Sequence, residues 1–419
     1  MQNAAIDTAH AGQINYPVVL VPRIDCHIYC DSQQTGQVLQ VAAADRRMAR
    51  AHVTIQLGGI AAACQVYQTQ PTPNVLVVET HAARDQVMAE LMQLAEVCQA
   101  NTKVVVIGHV NDVLLFRELM KAGIAEYVVA PITAVAFIDM ISNLYADPKA
   151  APLGRVVSFV GAKGGVGSST IAHNLAWAAS NRQNIDTIIT DLDLAFGTAS
   201  LNFNQDGTGG ILEALNAPDR LDSTLVERMM LKLGNKLSLL TGPGSVDRDF
   251  TVEAHAVEAI LNTVRSSAPL VMVDVPNMWA PWIKQTLLNS DEIIITATPE
   301  LPSLRNAKNL MDLLKGARAN DNPPRLIINQ VGVPKRPEIS AAEFAKALGV
   351  TPLAVIPHDP AAFGLAQGNG QMLFEVAAKS KAVEILGSIA AVVAGQKVPE
   401  AAKAKSSLLS KFSMLKKKS

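Results

Sequence analysis

Aromatic residues are scarce in this chain, 4% of 419 positions, although hydrophobic residues reach 49%. A core built from such a sequence must be aliphatic, of Val, Ile, Leu and Ala, and this suits parallel strands buried between helices. Cysteine is as sparse. Cys26, Cys30, Cys64 and Cys98 are the four thiols, and their spacing fits no CxxC zinc or redox pattern, so they read as reduced thiols acting as small buried hydrophobes. The chain lacks a basic N-terminal segment followed by an apolar run, and no apolar stretch is long enough to span a bilayer. The expected location is therefore the cytoplasm. An excess of charge is missing too: the formal net charge of −1 makes no case for nucleic acid as a partner. That charge is uneven, however. Residues 396–419 carry seven Lys and one Glu, a local +6 that leaves about −7 on the remainder.

Short apolar runs rich in β-branched residues alternate with segments of helical period. After a small, polar stretch at 1–16, expected to be disordered, the runs are Val18–Val21, Val53–Leu57, Val75–Val78, Val104–Ile107 and Tyr127–Ala130. Between them lie segments such as Val113–Ala122, with Leu114, Leu115, Leu119 and Met120 on one side. This pattern predicts an open α/β sheet of mostly parallel strands, a flavodoxin-like domain over 17–145. Two Pro and a Gly make 146–154 a linker. A second α/β pattern then covers 155–395, with strands expected at Val156–Val160, Thr187–Thr190, Leu237–Leu240, Leu270–Val273, Glu292–Thr296, Arg325–Ile328 and Leu353–Ile356. It reads as a larger, doubly wound P-loop NTPase domain. The remaining residues, 396–419, form a basic tail.

The segment Phe159–Asn174, with Gly161, Gly164, Gly165 and Gly167, follows a strand and opens a helix. This is the context of a phosphate-binding loop, in which glycines let the backbone turn tightly and aim its N–H groups at phosphate oxygens. The candidate nucleotide-binding residues are Lys163, Gly164, Gly165, Val166, Gly167, Ser168, Ser169 and Thr170. Ser169 is placed to offer its hydroxyl to Mg²⁺. Two features depart from an ordinary P-loop: Lys163 comes early, directly before Gly164-Gly165, and Ser168 occupies the position where Lys normally precedes the Ser/Thr pair.

The Lys-Gly-Gly-Val-Gly run followed by Ser/Thr resembles the deviant Walker A loop of the ParA/MinD-like ATPases. The resemblance implies ATP and Mg²⁺ as cofactors, and an ATP-sandwich homodimer in which Lys163 reaches the partner subunit's nucleotide. Ser168 replaces the family's second Lys, so ATP binding is expected with slow turnover at most, because a positive charge on the transferring group is missing. Asp191-Leu-Asp193 ends a strand. In the family the second such Asp orients the attacking water, which makes Asp193, with Lys163, the catalytic candidate; a pair of solvated strand-end carboxylates is the alternative. Val271–Asp274 resembles a Walker B element, and Asp274 joins Ser169 and Asp191 as a candidate metal ligand. Asn329 matches the family's adenine-contacting Asn, or is a strand-end Asn that caps a turn. His173 reads as a packing or surface residue.

Three segments, Gly161–Asn174, Asp191–Gly197 and Thr298–Lys308, are similar to the CpaE/TadZ family of tight-adherence (Flp) pilus assembly proteins. That family joins a receiver-like domain to a ParA/MinD-like domain. The resemblance implies an ATP-binding localisation or assembly factor that dimerises and recruits machinery. Its implied partners are the pilus secretion ATPase and inner-membrane pilus components, and its implied place is the inner membrane or a cell pole. A ParA-like partitioning ATPase acting on DNA is the alternative. The first domain departs from a working receiver. Glu79 stands where the phosphoacceptor Asp ends the third strand, and Ala130-Pro131 replaces Lys-Pro. With no clear acid pair after the first strand, the domain reads as an unphosphorylated docking module. In the tail, Leu408, Phe412 and Leu415 fall at i, i+4 and i+7, an imperfect amphipathic helix for contact with an anionic membrane; a solvated basic tail is the alternative.

Overall fold

The computed structural model describes residues 21–146, 153–207, 209–247 and 249–395. The expectations for 1–16, for Val18–Leu20, for most of the linker and for the basic tail lie outside them. The described residues divide into two compact units, one within Val18–Ala150 and one within Ala151–Ser419.

The smaller unit has five strands: β1 Ile24–Cys30, β2 Ala51–Leu57, β3 Val75–Thr80, β4 Lys103–Gly108 and β5 Glu126–Val129. They form a wholly parallel sheet in the order β2-β1-β3-β4-β5. Among the described residues the first strand, β1, begins at Ile24, and Val21 lies outside any strand. Asp25, His27 and Tyr29 interrupt any continuous hydrophobic run there, and the strand is specified by alternation instead. Ile24, Cys26, Ile28 and Cys30 pack in one core with Leu39, Phe137 and Ile138. Tyr29 turns to the other face, among Leu91, Leu94, Leu115 and Leu119. All four thiols are free, Cys26 and Cys30 buried and the other two half-buried; burial pushes the Cys26 and Cys30 thiols up to about 12.

The larger unit holds β6 Arg155–Gly161, β7 Thr187–Asp191, β8 Leu231–Lys232, β9 Leu237–Thr241, β10 Leu270–Val275, β11 Glu292–Ala297, β12 Arg325–Val331 and β13 Ala354–Pro357. The sheet order is β13-β12-β11-β6-β10-β7-β9-β8. Every pairing is parallel except β8 with β9. The two-residue β8 was not expected from sequence, being too short to carry a periodic signal. Both faces of the sheet are covered. Val156, Ile188, Val271, Val273, Ile293 and Ile295 pack against one helical layer. Their neighbours Val157, Ile189, Met272 and Ile294 pack against the other, which includes the helix Ser168–Asn181. Strands buried on both sides have no polar face to show, which is why each reads as an unbroken apolar run. Burying one such Ile or Val contributes roughly 1.5–3 kcal/mol relative to leaving it exposed. Among the described residues, no helix is long and apolar enough to cross a membrane.

The candidate nucleotide site

The carboxyl ends of β6, β7, β10 and β12 open onto one cleft of about 630 Å³ in the larger unit, the edge at which parallel α/β sheets bind ligands. The chain leaves β6 at Gly161 and turns into the helix Ser168–Asn181. Gly167 caps that helix at φ 85°, in the left-handed region. A Cβ there would stand 2.7 Å from Asn329 Nδ2, so both conformation and space require glycine.

Four amide side chains hold the loop by its carbonyls. Asn277 Nδ2 donates to Gly161 O at 2.8 Å and Asn306 Nδ2 to Ala162 O at 2.9 Å. Gln330 Nε2 donates to Gly165 O at 2.9 Å and Asn329 Nδ2 to Val166 O at 2.8 Å. The N–H groups from Lys163 to Thr170 donate to no acceptor among the described residues. The loop is therefore fixed through its acceptors while its donors stay available, and the positive end of a helix lies behind them. The Ser168 Oγ is buried and has no hydrogen-bond partner.

Asp191 ends β7 and is wholly buried; Asp274 lies in β10, 4% exposed. Asp191 Oδ1 accepts from Asp193 N at 3.0 Å and Oδ2 from Ala199 N at 3.2 Å. Burial, and then the Asp274 carboxylate, push the Asp191 carboxyl up to about 7. His173, expected as a packing or surface residue, is fully buried beside these acids, in keeping with the packing alternative. Its Nδ1 lies 2.8 Å from Asn202 Nδ2 and its Nε2 3.5 Å from Asp274 Oδ2. Ligand atoms of His173, Asp191 and Asp274 all lie within 4.8 Å of one another. Sequence pattern placed both acids but missed the histidine, whose only local signal is a polar residue on the inward face of an Ala-rich helix.

The other candidates line the same cleft: Lys163, Gly164, Gly165, Val166, Ser169, Thr170, Asp193 and Asn329. Asp193 Oδ1 accepts from Phe196 N at 2.9 Å. Lys163 Nζ stands 3.7 Å from Glu300 Oε1. Asn329 is 4% exposed and its amide nitrogen is committed to the loop carbonyl. Pro357, His358, Phe363 and Gln367, which the sequence did not single out, form the wall beyond Asn329 and Gln330. The donor set fits a nucleotide with Mg²⁺: oriented N–H groups for phosphate, hydroxyls at Ser168 and Ser169, and two carboxylates for a hard cation.

No family model matches the chain. A CpaE pilus assembly protein of Caulobacter crescentus is 43% identical over 97% of its own length and 30% of this chain, with a TM-score of 0.30. A ParA family ATPase of Chlorobium tepidum is 28% identical, with a TM-score of 0.51, over 98% of its chain and 57% of this one. The septum site-determining protein MinD of Helicobacter pylori is 25% identical over 217 residues, 78% of that protein and 49% of this chain. The larger unit accordingly has the ParA/MinD-like P-loop fold. Because the identity to the Caulobacter protein spans nearly all of it, the chain belongs to the CpaE family of pilus assembly proteins.

Proposed function

We propose that this chain is an ATP-binding assembly factor of a pilus system, which dimerises through its nucleotide face and recruits other pilus components. The observation that carries the nucleotide part is the loop from Gly161 to Val166, held by four carbonyls with its N–H groups uncommitted. Kinship to CpaE supports the pilus part. Ser169, Asp191 and Asp274 would hold Mg²⁺, directly or through water. Bound there, the cation would neutralise phosphate charge. Asp193 would orient water, and the Lys163 ammonium would serve phosphate in a facing subunit.

Turnover is slow on this reading, because Ser168 offers a neutral hydroxyl where a cation would stabilise the transferring phosphoryl group. Calorimetry with MgATP and MgADP on the purified chain tests it. Measurable binding with slow hydrolysis is expected, and Ser168→Lys should raise affinity by roughly tenfold, about 1.4 kcal/mol. No binding of either nucleotide at millimolar concentration would overturn the reading.

A further inference from the structure

The smaller unit carries a cluster of ligating side chains that the nucleotide site does not use. In the strand order β2-β1-β3-β4-β5 the chain runs outward from β1 to one side and from β3 to the other, so a crevice opens at the carboxyl ends of these two strands. Asp31 follows β1, Glu79 and His81 sit at the end of β3, and His109 follows β4. Sequence distance hides this grouping; topology produces it.

Glu79 is the fixed member, with 1% exposure. Its Oε2 accepts from Asp31 N and Ser32 N, each at 2.9 Å. Its Oε1 accepts from Thr35 Oγ1 at 2.6 Å and Ser32 Oγ at 3.2 Å. Burial alone would raise this carboxyl, but the hydrogen bonds from Thr35, Ser32 and His109 outweigh it and hold it below the ordinary glutamate value. Glu79 is therefore an anion, immobile and partly desolvated. His109 Nε2 lies 3.1 Å from Glu79 Oε1. The His81 ring stacks on His109 with centroids 3.7 Å apart, and His81 Nδ1 is 3.5 Å from Asp31 Oδ2. Gly59, at φ 53°, makes room: a Cβ there would fall 2.0 Å from Asp31 Oδ1 and 2.8 Å from Glu79 O.

We propose that Glu79, His81 and His109 form a binding site for a late divalent transition ion of the zinc class, with Asp31 orienting His81 or supplying a fourth ligand. One ligand atom from each of the three residues already lies within 4.8 Å of the others. Two ligands on one tetrahedral zinc stand roughly 3.3 Å apart, so the Glu79–His109 separation needs no change. His81 and His109 are both exposed, free to make the remaining adjustment around the fixed carboxylate. Two imidazoles with one carboxylate select Zn²⁺, Co²⁺ or Ni²⁺ over Mg²⁺, which takes oxygen ligands. A carboxylate at the far nitrogen of a ligating histidine is the usual support for such a ligand.

The test uses the full chain without an affinity tag, stripped with chelator and titrated with Zn²⁺ alone and Co²⁺ alone. One equivalent of zinc should bind with micromolar or tighter affinity, and cobalt should give visible d–d absorption from a site of low coordination number. His81→Ala and His109→Ala should each lose that absorption and weaken zinc at least tenfold, while nucleotide binding in the larger unit is unchanged. Both rings are exposed, so the variants should keep the wild-type near-ultraviolet circular dichroism; the Gln variants serve if either Ala variant does not. Zinc should raise the wild-type melting temperature and leave the variants unmoved. Absence of zinc and cobalt binding in the wild type, or binding equal in wild type and both variants, overturns the proposal.

Discussion

Lys163 and Glu300 face each other within one chain, Nζ to Oε1 at 3.7 Å, and Arg336 Nη1 reaches the same carboxylate oxygen at 3.5 Å. Lys163 thus rests against its own subunit. Both side chains are about one-third exposed, so water screens the pair and its worth is at most about 1 kcal/mol. A tether this weak holds the ammonium without trapping it. We predict that Lys163→Ala weakens ATP-dependent dimerisation more than ATP binding by the monomer. Glu300→Gln, which releases the lysine, should strengthen dimerisation by roughly up to fivefold. Light scattering with and without ATP reads both. An ATP-independent dimer, equal in all three proteins, would show that the dimer is held elsewhere.

The Asp191 carboxyl gives the second prediction. Its folded value, about 7, exceeds the ordinary 3.8. Between the two the native state holds a proton that the unfolded chain has released, so metal-free stability is greatest below the ordinary value and declines as pH rises through 7. Mg²⁺ requires the carboxylate, so its binding should strengthen with pH, by about tenfold per unit below 7, and level off above it. Asp191→Asn should flatten both profiles. Denaturation midpoints in chelator, and Mg²⁺-dependent nucleotide binding, across pH 5 to 9, roughly two units either side of the transition, measure this. A flat wild-type profile would refute the assignment.

Asn329 gives the third. Its amide nitrogen donates to Val166 O from a buried position, and Asn329→Ala leaves that carbonyl without its donor. A lost buried hydrogen bond costs roughly 1–3 kcal/mol, and the loop it fixes carries the anion-facing donors. Thermal stability should fall and nucleotide affinity with it, whereas Asn329→Gln should recover part of neither, since its longer side chain meets Gly167. Melting curves and calorimetry on the two variants decide this; wild-type affinity in Asn329→Ala would mean the loop holds its shape without the clamp.

Glu79 gives the fourth. Two backbone N–H groups, two hydroxyls and an imidazole converge on its carboxylate. A glutamate held rigidly at this position does not present its carboxylate as a phosphoacceptor aspartate would, so acetyl phosphate should leave the chain unlabelled by mass spectrometry. Glu79→Ala should cost the unit about 3 kcal/mol or more, because several buried donors lose their acceptor together. Stoichiometric phosphorylation at Glu79 would contradict the first expectation, and an unchanged melting temperature the second.

What could be read beforehand depended on how local the signal was. The larger unit's parallel strands are apolar on both faces and announced themselves, as did the glycines before Ser168. β1 did not, because Asp25 and His27 interrupt the apolar residues of an alternating strand. The acids at the ends of β7 and β10 stood out as charges closing hydrophobic runs. The amides of Asn277, Asn306 and Gln330 did not. Each serves a backbone carbonyl more than a hundred residues away, and nothing in the neighbouring sequence marks an amide for such a bond. His173 was missed for a related reason: its meaning comes from Asn202 and Asp274, which the fold delivers to it.

The little strand β8 has a consequence for how copies of this protein can meet. It lies at one margin of the larger sheet, is two residues long, runs against its neighbour and ends in Lys232. A margin so brief, reversed and charged offers almost no template on which a further strand could register. Growth from molecule to molecule by adding strands is therefore blunted on that side.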